Sequence, residues 1–233
     1  MRDKSNPFRL AAVALTLVFV VAACDSSTAT ETTAVVGDTT STTATAPPTG
    51  VSDEPPTVIA SADLDQQVVD QLTAQIVELI NATEEVRGLR FLTKPTVTIL
   101  TPEELADRVR ADLEEEIDSD ELAVDTRLFQ LLGKLAPGAD LEEMIIDLYS
   151  EQVAGFYDLD TGEMVIGGEA ADLTPLTASV VVHELVHALT DQHFLFNDDY
   201  QAMWDEERYD EGAAFQSLME GDATYFQLVY IQE

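Results

Sequence analysis

The chain predicts an α+β fold in which helices predominate. Apolar residues recur at helical spacing through most of the body, whereas β-branched runs are few and short. Apolar residues make up 45% of the 233 positions, enough to bury a core, and the length suits one domain plus appendages. Leu64, Val68, Val69, Leu72, Ile76, Leu79 and Ile80 mark a first amphipathic helix. Residues 95–100 (PTVTIL) read as a strand. Thr101-Pro102-Glu103-Glu104 is a capping box with proline at the first helical position, and Leu105, Val109 and Leu113 form one face of the helix behind it. Asp118 to Leu135 holds another helix, stopped by Pro137-Gly138. Asp140 with Glu143 opens a further one, with Leu141, Met144, Ile145 and Leu148 as its apolar stripe. Two short apolar runs flank Asp158 to Gly162, which signals a hairpin. Thr174-Pro175 starts a helix to about Asp191. Ala213, Ala214, Leu218, Met219, Ala223 and Phe226 predict a last one from about Glu211 to Tyr230. A small β-hairpin or sheet is therefore expected beside the helix that begins at Pro175.

The body is expected to start at about residue 57. Ahead of it, a basic segment precedes a 14-residue apolar run, Leu10 to Ala23, which is too short for the roughly 20 residues of a spanning helix. Val21-Ala22-Ala23-Cys24 resembles a bacterial lipobox. That resemblance implies a signal peptide over 1–23, lipidation of Cys24 and an extracytoplasmic protein anchored to the membrane. Residues 24–56 form a linker; positions 25–56 hold ten Thr, four Ser and four Pro and no aromatic, Lys or Arg, so nothing there can build a core. Cys24 is the one cysteine, which excludes an intrachain disulfide framework. With 11 Lys+Arg against 45 Asp+Glu the net charge is −34, which excludes nucleic acid as a partner and electrostatic docking on an anionic bilayer.

The three histidines fall within eleven residues, His183 to His193. In the stretch VVVHELVHAL (180–189), His183, Glu184 and His187 are the polar side chains, and a helix otherwise so apolar is buried. Burying them without partners costs several kcal/mol per unpaired charge, about the scale measured for broken buried pairs. His183 and His187 are four apart and share a face, so one cation can bind both. Glu184 lies beside them, placed to reach a water next to the metal without ligating it. This is HExxH on a helix, the arrangement of zinc metalloproteases.

Zinc needs a third protein ligand. His193 stands six after His187, the spacing of the metzincin motif, but Thr190 occupies the position where that motif has a turn-forming glycine. If the helix continues, His193 lies about 9 Å along the axis from His187 and cannot share its metal. Glu220 is the other candidate, on the last helix among the small residues Ser217, Gly221, Ala223 and Thr224, with Glu211 in reserve. Gly221, costly in mid-helix, suggests close approach to the HExxH helix.

HELVHALTDQHF followed by LMEGDATYF resembles the gluzincins, zinc metallopeptidases with two His from HExxH and a downstream Glu. More closely it resembles secreted bacterial and archaeal proteins that share HELxHALxDQ, a preceding GFYD hairpin and a later EGDA. The likeness covers about residues 150 to 228. It implies a zincin-like domain over 57–233, zinc on His183, His187 and Glu220, Glu184 as general base, and a peptide or protein substrate. Many gluzincins have an Asp four residues after the ligand Glu; here that position is Thr224 and the nearest Asp is Asp222. The strand 163–166 stands where related peptidases have a substrate-binding edge strand. His193, Tyr157 and Tyr209 are candidates for an oxyanion donor. Two other readings fit the same motif: a non-catalytic zinc-binding envelope lipoprotein, and a cell-wall amide hydrolase. The run 228–233 ends inside a helical pattern without a stop signal, which points to a C-terminally truncated chain.

Overall fold

The computed structural model describes residues 50–232 except Asp118, Asp160 and 169–172. The expected signal peptide, Cys24 and most of the linker lie outside the described residues. The fold is α+β and mostly helical. In chain order the elements are β1 (Val58–Ala60), α1 (Gln66–Arg87), β2 (Thr96–Leu100), α2 (Pro102–Glu116), α3 (Ser119–Leu131), α4 (Leu141–Gln152), β3 (Gly155–Asp158), β4 (Glu163–Gly167), α5 (Pro175–Phe194), α6 (Asn197–Asp205) and α7 (Tyr209–Gln232). Among the described residues no helix is long and apolar enough to cross a membrane.

The strands form one sheet in the order β1-β2-β4-β3. The first two pairings are parallel, and β3 and β4 pair antiparallel as the expected hairpin, Tyr157 opposite Met164. Strand alternation sorts side chains onto two faces. Val97, Ile99, Tyr157, Met164 and Ile166 face a core completed by Leu72, Ile76 and Ile80 of α1 and by Val181, Val182, Leu185 and Leu189 of α5. Phe156 and Val165 face the other way, onto Leu105, Val109 and Leu113 of α2 and Ile146 of α4. The sheet is thus covered on both faces, with α5 inside the first layer against α1, α7 and the hairpin.

Local signals explain most boundaries. Asp65 caps α1 by accepting from the Gln67 amide, and Gly88, at φ 70°, ends it. Thr101 and Glu104 form both bonds of the capping box.

Several expectations need correction. α3 stops at Leu131 and not near Leu135, because Gly133 adopts φ 65° and the Lys134 amide bonds back to the Phe129 carbonyl, which closes the helix before Pro137. The inward face of α4 is not the expected stripe: Ile146 is buried, with Ile145 and Tyr149 packed beside it, while Met144 and Leu148 are each half exposed. β1 and α6 were not expected. β1 extends the parallel sheet beyond β2. In α6, Tyr200 and Trp204 pack with Phe196 and Met219 against α7. The strand 163–166 is interior, between β2 and β3, so the sheet edge beside α5 is β3.

The α4 assignment predicts that Ile146→Ala lowers unfolding stability by about 2–5 kcal/mol, while Met144→Ala changes it far less. Urea titration of the two variants checks this, and equal losses would return Met144 to the core.

Candidate metal centre

Thr174 caps α5 by accepting from the Thr177 amide, and Pro175 supplies the first helical position. Every residue from Ser179 to Leu189 is buried, since the sheet, α1 and α7 enclose the helix. The helix continues through Thr190 to Phe194 and ends at Leu195 in the left-handed region, φ 50°. His193 is thereby carried to the surface, where its Nε2 lies 2.8 Å from the Arg90 carbonyl. Its neighbour Gln192 clamps the same loop, its Oε1 accepting from the Leu92 and Thr93 amides. The residues after HExxH therefore fasten the α1–β2 loop, and His193 takes no part in the centre.

α7 crosses beside α5 and brings Glu220 to the histidine pair. His183 Nε2 lies 3.0 Å from His187 Nε2 and 3.2 Å from Glu220 Oε2, and His187 Nε2 lies 3.7 Å from Glu220 Oε1. All three residues are buried, and their potential ligand atoms lie within 4.8 Å of one another. A metal held tetrahedrally at about 2.0–2.1 Å sets its ligand atoms about 3.3–3.4 Å apart; the 3.0 and 3.2 Å separations are close to that spacing, and the 3.7 Å one runs to the second carboxylate oxygen. Among the described residues Glu220 Oε1 has no hydrogen-bond partner although it is buried, an acceptor that a cation would satisfy. Burial pushes the Glu220 carboxyl up, but the hydrogen bond with His183 and the proximity of both imidazoles outweigh this and hold it down to about 2 in the metal-free group. The donor set of two imidazoles and a carboxylate fits a metal ion, and this buried group could bind one.

Glu184 stands outside that group. It is 2% exposed and turns toward the sheet, where a carboxylate oxygen accepts from the Tyr157 amide at 3.1 Å. The Gly167 amide donates to the Ala154 carbonyl, so alternation of the ladder leaves the Tyr157 amide facing away from β4. Glu184 thus satisfies the open edge of β3.

Other expected participants lie elsewhere. Glu211 is exposed and pairs with Arg208 at 2.7 Å. Tyr209 is half exposed and packs near Trp204. Tyr157 belongs to the main core, and burial pushes its phenol up. A side chain at Gly221 would meet nothing within 4 Å, so close helix approach does not explain that glycine; Ala223, fully buried, faces inward instead. Asp222 turns to other partners: it accepts from the Thr190 hydroxyl and pairs with Arg87, tying α5, α7 and α1 together. The group beside His183 is one that sequence reasoning missed, Gln227, whose Oε1 lies 3.3 Å from Nδ1. Its signal was present: Gln227 stands two helical turns after Glu220, on the same face.

Comparison with protein-family models, with curated proteins and with solved structures gives no match for this chain.

With zinc as the probe ion, Glu220→Ala is expected to lower metal affinity by more than the roughly 10–100-fold typical of losing an outer hydrogen bond, and His193→Ala and Glu211→Ala to leave it unchanged. Competition with a chromophoric chelator measures all three. Loss of zinc on removing His193 would move the centre to a different ligand set.

Proposed function

We propose that this protein is a zinc-dependent peptidase of the gluzincin type, held outside the cytoplasm by a lipid on Cys24. The observation that carries the reading is the convergence of His183, His187 and Glu220 in one buried group, with Glu184 adjacent in sequence yet not among the donors. His183 and His187 supply nitrogen ligands and Glu220 a carboxylate oxygen, a combination that suits zinc. Zinc, when bound, acts as a Lewis acid that polarises a carbonyl and brings the pKa of a water to about 7.

The chain's own residues supply the rest. Glu184 is the group to take a proton from the attacking water at its carboxylate and return it to the leaving amine. Its bond to the Tyr157 amide fixes the carboxylate's orientation, so no side-chain ordering is needed during reaction. β3 takes over the role expected of the strand 163–166: as the sheet edge beside α5 it is the segment on which an extended peptide backbone would pair. Tyr157 has given its amide to Glu184, so a substrate strand would rely on the neighbouring outward groups at Gly155 and on the Tyr157 carbonyl.

The same bond favours a second reading. Because Glu184 braces α5 against the sheet edge, it has a structural reason to be there in a non-catalytic zinc-binding envelope protein. Glu184→Gln separates the two. Glutamine keeps an acceptor for the Tyr157 amide but cannot serve as a base. Folding and zinc content are expected to survive while cleavage of a peptide library falls by at least about 10²–10⁴-fold. Wild-type protein that holds one zinc and cleaves no peptide supports the scaffold. Cleavage of peptidoglycan amides in place of peptides redirects the substrate class to the cell wall.

A further inference from the structure

We propose that Ser179 and Gln227 form a relay that holds a hydrogen of His183 on Nδ1 and so leaves Nε2 as the nitrogen that ligates the metal. The proposal rests on the metal-centre reading above. Gln227 is a positioning residue: it touches His183 and acts through it.

The assignment follows from counting hydrogens. The Ser179 hydroxyl donates to the Leu176 carbonyl at 2.8 Å, which uses its one hydrogen. Toward Gln227 it can then only accept, and it does so from Nε2 at 3.3 Å. That bond orients the amide. Oε1 is left facing His183 Nδ1 at 3.3 Å, and an amide oxygen has no hydrogen to give. The contact is bonding only if Nδ1 carries the hydrogen. Nδ1 is thereby committed to Gln227, and Nε2, which lies 3.2 Å from Glu220 Oε2 and 3.0 Å from His187 Nε2, is the nitrogen left to ligate an ion that takes the place of those contacts.

Position and burial make the relay specific. Ser179, His183 and His187 follow at four-residue intervals on one face of α5. Glu220, Ala223 and Gln227 line the facing side of α7, and all six residues are buried. Ser179 and Gln227 are, respectively, 1% and 7% exposed, so water does not compete freely for these bonds and an unpaired amide there is costly. Among the described residues no side chain pairs with His187 Nδ1 in this way. The relay therefore acts on one ligand, the one nearest Glu220.

Two measurements test it. In metal-free protein labelled with 15N-histidine, the His183 Nδ1 resonance is expected in the protonated range and to couple to a slowly exchanging hydrogen. In zinc titrations, Gln227→Leu is expected to lose about 10–100-fold in affinity. Gln227→Glu, which restores an acceptor, is expected to recover wild-type affinity or exceed it, and Ser179→Ala to fall between. The metal-free melting temperature of each variant reports folding separately. An unprotonated Nδ1, an unchanged affinity in Gln227→Leu, or no recovery in a folded Gln227→Glu overturns the relay. If wild-type protein takes up no zinc, the metal-centre reading fails, and the Nδ1 resonance of the metal-free protein still decides the relay by itself.

Discussion

Two imidazoles and a carboxylate are buried together where α5 meets α7, and most of the surrounding structure follows from that constraint. Each of His183, His187 and Glu220 is at most 9% exposed. Groups of this kind are costly to bury unless they satisfy one another or hold an ion. The helices must therefore approach closely and in one register. Ala223 keeps the α7 face low between Glu220 and Gln227. The Arg87–Asp222 pair and the Thr190–Asp222 bond join three helices just beyond the cluster. The apolar remainder of α5, buried from Ser179 to Leu189, holds the helix between the sheet, α1 and α7, so its polar residues cannot turn toward water.

The sheet contributes orientation. Its hairpin lies against α5, and the outward Tyr157 amide meets Glu184. One helix thus sends successive residues to different tasks. His183 and His187 point toward α7 and Glu220, and Glu184, roughly 100° further around the helix from His183, points toward β3. That division makes the Glu184 carboxylate available for proton transfer in the peptidase reading and a strut in the scaffold reading. The two differ in chemistry, not in geometry.

Much of this was legible in the sequence, for identifiable reasons. The four-residue spacing of His183 and His187 within an apolar stretch requires a shared buried face, and Thr190 permits the helix to run on and take His193 away. Glu220 was legible because an acid on a helix face of small residues needs a partner. Elements whose signals are tertiary were harder to read. β1 has three residues and exists because β2 offers an edge to pair with. α6 has no side-chain cap and is fixed by Tyr200 and Trp204 packing on α7. The α4 stripe was misread because Met144, Ile145, Ile146 and Leu148 are all apolar, and only contact with Phe156 and Val165 selects the inward pair. Gln227 was overlooked because glutamine at that position reads equally well as solvated surface. Its role emerges only once α7 is laid against Ser179 and His183.

The central claim is that α5 and α7 together build a single metal centre from His183, His187 and Glu220. Anomalous diffraction at the zinc absorption edge, on crystals of zinc-loaded protein, tests it most directly. The account predicts one strong anomalous peak between the two helices, within about 2.0–2.2 Å of His183 Nε2, His187 Nε2 and a Glu220 oxygen, with Glu184 outside ligand distance. A peak ligated by His193 or Glu184, or no peak at the helix pair, would contradict it.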